Sequence, residues 1–128
     1  MTTPILINQS TSPPIDTQSL EIVERKGKGH PDTICDSIAE SISVQLSKSY
    51  HETFGHILHH NIDKCMLVAG QVKVSLGKGR VLKPMRLVIG DRASFGVGRK
   101  TIPVIEVAIK TAKHWIKSHL RHINPDTH

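Results

Sequence analysis

The stretch Glu24-Arg-Lys-Gly-Lys-Gly-His-Pro-Asp-Thr-Ile-Cys-Asp36, with Ile38, Ile42 and Leu46 behind it, decides how this chain is read. Ile34, Ile38, Ile42 and Leu46 recur every four residues, which lines them up on one side of a helix. Pro31 suits a first helical turn, where its missing N–H is not needed. The pattern predicts a helix from about Pro31 to Tyr50. Asp32, Asp36 and Glu40 repeat at the same spacing and form a carboxylate row, with Asp32 at the positive end of the helix dipole.

Just upstream, Leu20 to Glu24 predicts a short strand that breaks at Gly27 and Gly29. Asn8 to Ser19 is rich in Ser, Thr, Pro and Gln, which bury little. Residues 1–19 are therefore expected to be a flexible leader and 20–128 one domain, a length that can organise a single core. Downstream, Lys64 to Gly70, continued through Val72 and Val74, predicts a largely buried strand, and Leu76 to Arg80 a turn. Val81 to Ile89 is another apolar stretch in which Pro84 favours an edge or bulge, so a meander or hairpin results. Gly90 to Thr101 is expected to be a loop. Pro103 opens a second helix with Val104, Ile105, Ala108, Ala112, Trp115, Ile116 and Leu120 on one side, ended by Asn124-Pro125. The order predicts an α+β two-layer sandwich, a mixed or antiparallel sheet with helices packed on one face.

The chain has no run approaching the length of a membrane helix, and Pro4, Ile5, Leu6 and Ile7 come without a basic region or cleavage site. A soluble, cytoplasmic protein is expected. Cys35 and Cys65 form no C-x-x-C pair, which suggests neither a disulfide framework nor a cysteine zinc site. The net charge of +6 suits an anionic partner or simple solubility. Aromatic residues make up only 3% of the chain, too few for the base-stacking platforms of single-strand binders, so nucleic acid is a poor fit.

The junction between Glu24 and Asp36 brings anions, cations, an imidazole and two glycines to a helix start. Glycines permit close backbone approach, the helix end favours anions, and a carboxylate can hold a hard divalent ion that bridges phosphate oxygens. Asp32 is the candidate magnesium ligand. His30 is the candidate donor to an oxygen gaining charge as a phosphate leaving group departs. The plainer alternative is a capped helix start with a surface histidine and solvated Lys26 and Lys28; Gly-Lys-Gly is not the Walker pattern. His56 and His60, four apart, hint at a metal pair but lack an evident third ligand.

The segments "EIVERKGKGHPDTICDSIAESIS", "FGHILHHNIDKCMLVAGQ", "VLKPMRLVIGDRA" and "WIKSHLRHINPDTH" resemble the first domain of archaeal-type S-adenosylmethionine synthetases (methionine adenosyltransferases), over roughly Leu20 to His128. The "GHPD" within "ERKG-x-GHPD" is the specific part. The resemblance implies a magnesium-dependent enzyme in which the methionine sulfur attacks the 5′ carbon of ATP and expels tripolyphosphate, which is then hydrolysed to pyrophosphate and phosphate. It also implies roles for individual residues: His30 assists the departing triphosphate, Asp32 binds magnesium and Glu24 is the acidic residue ahead of the glycine turn. Asp63 and Lys64, in the "HHN-x-DK" match, lie near the nucleotide or its phosphates. Gln71 stands where bacterial relatives carry an acidic residue linked to potassium, so a potassium site is not implied. Arg80 likewise departs from the acidic residue usual in archaeal relatives.

The family has three similar domains and an active site between subunits of a homo-oligomer, so missing domains or a second chain are implied. The 128-residue chain alone is then expected to form no S-adenosylmethionine and to self-associate, with Val68, Val72, Val74 and Leu87 near the exposed surface. The competing reading is a non-catalytic module of the same fold with an assembly or regulatory role.

Overall fold

The computed structural model describes residues 5–128; residues 1–4, where the expected leader begins, lie outside the described residues. A single 3₁₀ turn at Ile15–Thr17 precedes helix α1 (Pro31–Phe54). Eight short strands follow: β1 (His60–Asn61), β2 (Cys65–Val68), β3 (Gln71–Ser75), β4 (Lys78–Lys83), β5 (Arg86–Ile89), β6 (Arg92–Ala93), β7 (Gly96–Val97) and β8 (Lys100–Thr101). Helix α2 (Val104–His119) comes last.

Helix α1 begins where the sequence predicts, because Pro31 enters the first turn and the His30 side chain caps it. It runs four residues past the expected Tyr50, since Phe54 still packs against the core. Gly55 then ends it in the left-handed conformation, φ 77°, with its N–H on the His51 carbonyl. The four-residue stripe is buried as read: Ile38, Ile42, Leu46 and Tyr50 are the most enclosed large side chains among the described residues. Burial of a side chain such as Leu46 contributes on the order of 2 kcal/mol. Helix α2 packs along α1 through Val104, Ala112 and Trp115, but Ile105, expected on the same side, is 61% exposed.

All strand pairs are antiparallel. The partners β1–β6, β2–β5 and β3–β4 are successive segments of one two-stranded ribbon from His60 to Ala93, which folds back at Leu76-Gly77. Gly77 takes φ 70° there, a conformation that other residues adopt at a cost. The hairpin expectation holds. The long strand expected from Lys64 to Val74 is instead divided at Ala69-Gly70, opposite Pro84-Met85. The backbones approach so closely at this break that a Cβ on Gly70 would sit 2.4 Å from the Lys83 carbonyl oxygen, and Pro84 has no N–H to donate across it. The expected turn at Leu76 to Arg80 is shorter than read, as β4 already begins at Lys78. The expected loop from Gly90 to Thr101 contains β6 and the small β7–β8 hairpin, turned at Gly98.

Both helices lie on one face of the ribbon's inner half, giving the two-layer α+β arrangement. Leu67, Leu87 and Ile89 face the helices and are half-buried, whereas Met66 and Val88 face away. Leu87 therefore belongs to the core side and not to the exposed surface for which it was a candidate. Strand β3 is exposed along its whole length, contrary to the buried strand expected, because neither helix reaches it. The strand expected at Leu20 to Glu24 does not form: Leu20, Ile22 and Val23 are 70%, 87% and 76% exposed, and no neighbouring backbone pairs with them. Extended backbone becomes a strand only with a ladder partner.

Candidate active site

The sequence around His30 folds first as a turn, with the His30 N–H on the Gly27 carbonyl at 3.0 Å, and then as a helix start. His30 keeps an extended backbone, and its Nδ1 accepts the N–H of Asp32 at 3.1 Å. That bond requires a lone pair on Nδ1, so the neutral ring carries its proton on Nε2. Nδ1 also lies 3.9 Å from the Asp32 carboxylate, but the bond from the Asp32 N–H is the closer contact and sets the tautomer.

Asp32 projects from the first turn of α1 and pairs with the Lys26 ammonium across the glycine turn. Lys26 hydrogen-bonds and attracts the carboxylate, which holds it below the usual range. Both partners remain more than half exposed, so the cluster is open to a ligand. Lys26 was read from the sequence only as a solvated lysine: the six-residue separation spans a turn, which helix spacing rules do not cover. Glu24 lies exposed upstream, and among the described residues no hydrogen bond or ion pair ties it to His30 or Asp32.

The second predicted pair, Asp63 and Lys64, sits at the corner between β1 and β2. The two side chains pair with each other and both are exposed. The next residue, Cys65, begins β2, which packs on α1, and its thiol lies near that of Cys35. Burial pushes the Cys65 thiol up to about 12, with Cys35 adding to the effect. Sequence reasoning missed Asp91, whose carboxylate accepts the backbone N–H groups of both Asp63 and Lys64. Those two bonds hold Asp91 below the usual carboxylate range. The only signal was its place in a Gly-Asp corner, where aspartate commonly accepts from backbone.

His60 does not form the metal pair hinted at with His56. Its Nδ1 meets the Leu58 carbonyl at 3.0 Å, which makes Nδ1 the donor. Nε2 is left to accept from Ser43 and Ser47 at 3.2 and 3.4 Å, with the Tyr50 ring alongside. A cavity of about 500 Å³ lies between α2 and the inner ribbon, lined mostly by apolar side chains such as Leu67, Leu87, Ile89 and Ala108, with Arg92, Lys113 and His128 also on its wall. It includes neither His30 nor Asp32. No helix of the described residues is long and apolar enough to cross a membrane.

A family model described as S-adenosylmethionine synthetase (AdoMet synthetase) matches residues 3–128. The chain is 48% identical over 124 residues to the probable S-adenosylmethionine synthase of Aquifex aeolicus, covering 97% of the chain and 31% of that protein. It is 43% identical to the S-adenosylmethionine synthase of Methanothrix thermoacetophila, covering all of the chain and 32% of the relative. With that of Pyrococcus furiosus it shares 41% identity over 97% of the chain and 31% of the relative. The chain thus spans about a third of the length of the curated relatives it matches.

Proposed function

The chain belongs to the S-adenosylmethionine synthetase family, and from that premise we propose that it supplies one wall, the N-terminal one, of a methionine adenosyltransferase site. The reaction is attack of the methionine sulfur on the 5′ carbon of ATP with release of tripolyphosphate, later cleaved to pyrophosphate and phosphate. Residues 20–128 form the domain, behind the leader of residues 1–19. The enzyme works in the cytoplasm as a homo-oligomer whose active site lies between subunits. The remaining walls come from further domains or a second chain.

The observation that carries this reading is the capping geometry of His30. With Nδ1 occupied by the Asp32 N–H, Nε2–H is the free donor. The triphosphate oxygen gains charge as its bond to carbon breaks, and a donor fixed in advance is most useful at that moment. The amino end of α1 adds its dipole, and Lys26 places a cation in the same cluster. Asp32 fits a magnesium ion, since magnesium keeps several waters and takes one or two carboxylates together with phosphate oxygens. Bound there, the ion would neutralise charge on the polyphosphate. In this reading Lys64, with Asp63, meets the nucleotide or its phosphates, and Glu24 serves the substrate side. The 128-residue chain by itself is expected to form no S-adenosylmethionine.

The test is kinetic, in the assembled enzyme. His30→Ala should lower kcat by about 100-fold or more while changing ATP affinity little, the pattern of an interaction confined to the transition state. Asp32→Ala should weaken magnesium-dependent nucleotide binding. Near-native kcat in the first variant, or unchanged metal-dependent affinity in the second, would remove the corresponding role.

A further inference from the structure

The two strands of the ribbon fall out of step at the Asp63–Lys64 corner. Between the pairs Asn61↔Arg92 and Cys65↔Ile89, one strand inserts Ile62, Asp63 and Lys64 against only Gly90 and Asp91. This one-residue excess is a β-bulge, which leaves backbone donors of the longer strand without a ladder acceptor and redirects its side chains. Asp91 fills the gap. One of its carboxylate oxygens accepts from the N–H groups of Asp63 and Lys64, and the other accepts from the Asn61 side-chain amide at 3.4 Å. The Gly90 N–H donates to the Lys64 carbonyl at 2.9 Å, closing the corner from the other side.

The consequence is visible in exposure. In a regular strand Asp63 and Lys64 would face opposite sides, one of them toward the helices. Here Ile62 takes the packed position and both charged side chains reach solvent, 61% and 76% exposed.

We propose that Asp91 is a positioning residue: by clamping the bulge it holds Asp63 and Lys64 together on the solvent side, where a polyphosphate-bearing ligand would meet them. This rests on the function proposed above. Asp91 itself touches no ligand in this scheme; its anionic carboxylate is spent on two backbone N–H groups, each a charge-assisted bond.

The experiment uses the 128-residue chain, with backbone amides followed by NMR. At neutral pH the Asp63 and Lys64 amides should be protected from exchange, and at least tenfold less so in Asp91→Asn, while the amides of α1 around Ile38 and Ile42 keep their protection. In the wild type the same two amide resonances should shift together with a single acid midpoint below the ordinary 3.8 of aspartate, and that shared midpoint should vanish in the variant. In the enzyme assembled with its remaining domains, inorganic tripolyphosphate with magnesium should bind the Asp91→Asn form about tenfold more weakly than wild type, the scale of losing one charge-assisted hydrogen bond. Independent titration of the two amides, or unchanged tripolyphosphate affinity in the variant, would overturn the proposal. An assembled wild-type enzyme that binds no tripolyphosphate, while the chain shows the shared midpoint, would instead overturn the catalytic reading of the preceding subsection.

Discussion

The inner and outer halves of the ribbon are written in similar letters and have different fates. Cys65 to Val68 and Arg86 to Ile89 lie over α1, with alternate residues half-buried. Gln71 to Ser75 pairs with Lys78 to Lys83 over a ladder of similar length, with one register shift between Gln71 and Val72, yet Val72, Val74 and Leu76 stand in solvent. Both halves form antiparallel ladders. The difference lies in what is beneath, since α1 and α2 floor one half and stop short of the other. Strand formation and burial are therefore separate decisions, and only the first is local.

The largest effect should come from removing the floor. Leu46→Ala, at a fully enclosed position of α1, should cost about 2–5 kcal/mol in urea unfolding, through lost burial and the cavity left behind. A loss below about 1 kcal/mol would mean that the inner half is not packed as described. Next in size is the junction between the halves. Gly70→Val must push against the Lys83 carbonyl and should cost about 1–3 kcal/mol by the same measurement; a neutral result would show that the close approach relaxes freely.

Thiol chemistry sharpens the contrast without relying on stability. Only thiolate reacts, and burial raises Cys65 to about 12, so at pH 8 iodoacetamide should label it at least tenfold more slowly than a cysteine introduced by Val74→Cys in the outer half. Equal rates would erase the distinction. The sign also fixes a pH dependence. Cys65 and Tyr50 both have their acid forms favoured by burial in the fold, so their contribution is complete below their ordinary values of 9.0 and 10.0 and is lost as pH rises through the folded ones. Stability should decline on the alkaline side, and the Tyr50 part of that decline should disappear in Tyr50→Phe. The smallest effect is expected from Val74→Thr, within about 0.5 kcal/mol of the parent. The same substitution should nevertheless reduce self-association seen by light scattering, because it takes a methyl group from an exposed, unpaired edge.

That His30 caps α1 was decided by the fold, whereas the sequence, read alone, determined both helices, the helix start at Pro31, the place of Asp32 on the first turn and the existence of a hairpin. These depend on spacing within a few residues: a four-residue apolar stripe, a proline at a helix start, glycines at a turn. The family motif at "GHPD" was legible for the same reason, being one contiguous string. Tertiary structure alone decided the rest. It left Leu20 to Glu24 unpaired, split the expected long strand at Gly70, exposed β3, turned Leu87 inward and joined Lys26 to Asp32 and Asp91 to the Asp63–Lys64 corner. Each of those outcomes depends on a partner distant in the chain or across a turn. Whether a strand is covered, or a carboxylate finds two unpaired N–H groups, follows from which segments the packing of α1 and α2 brings side by side.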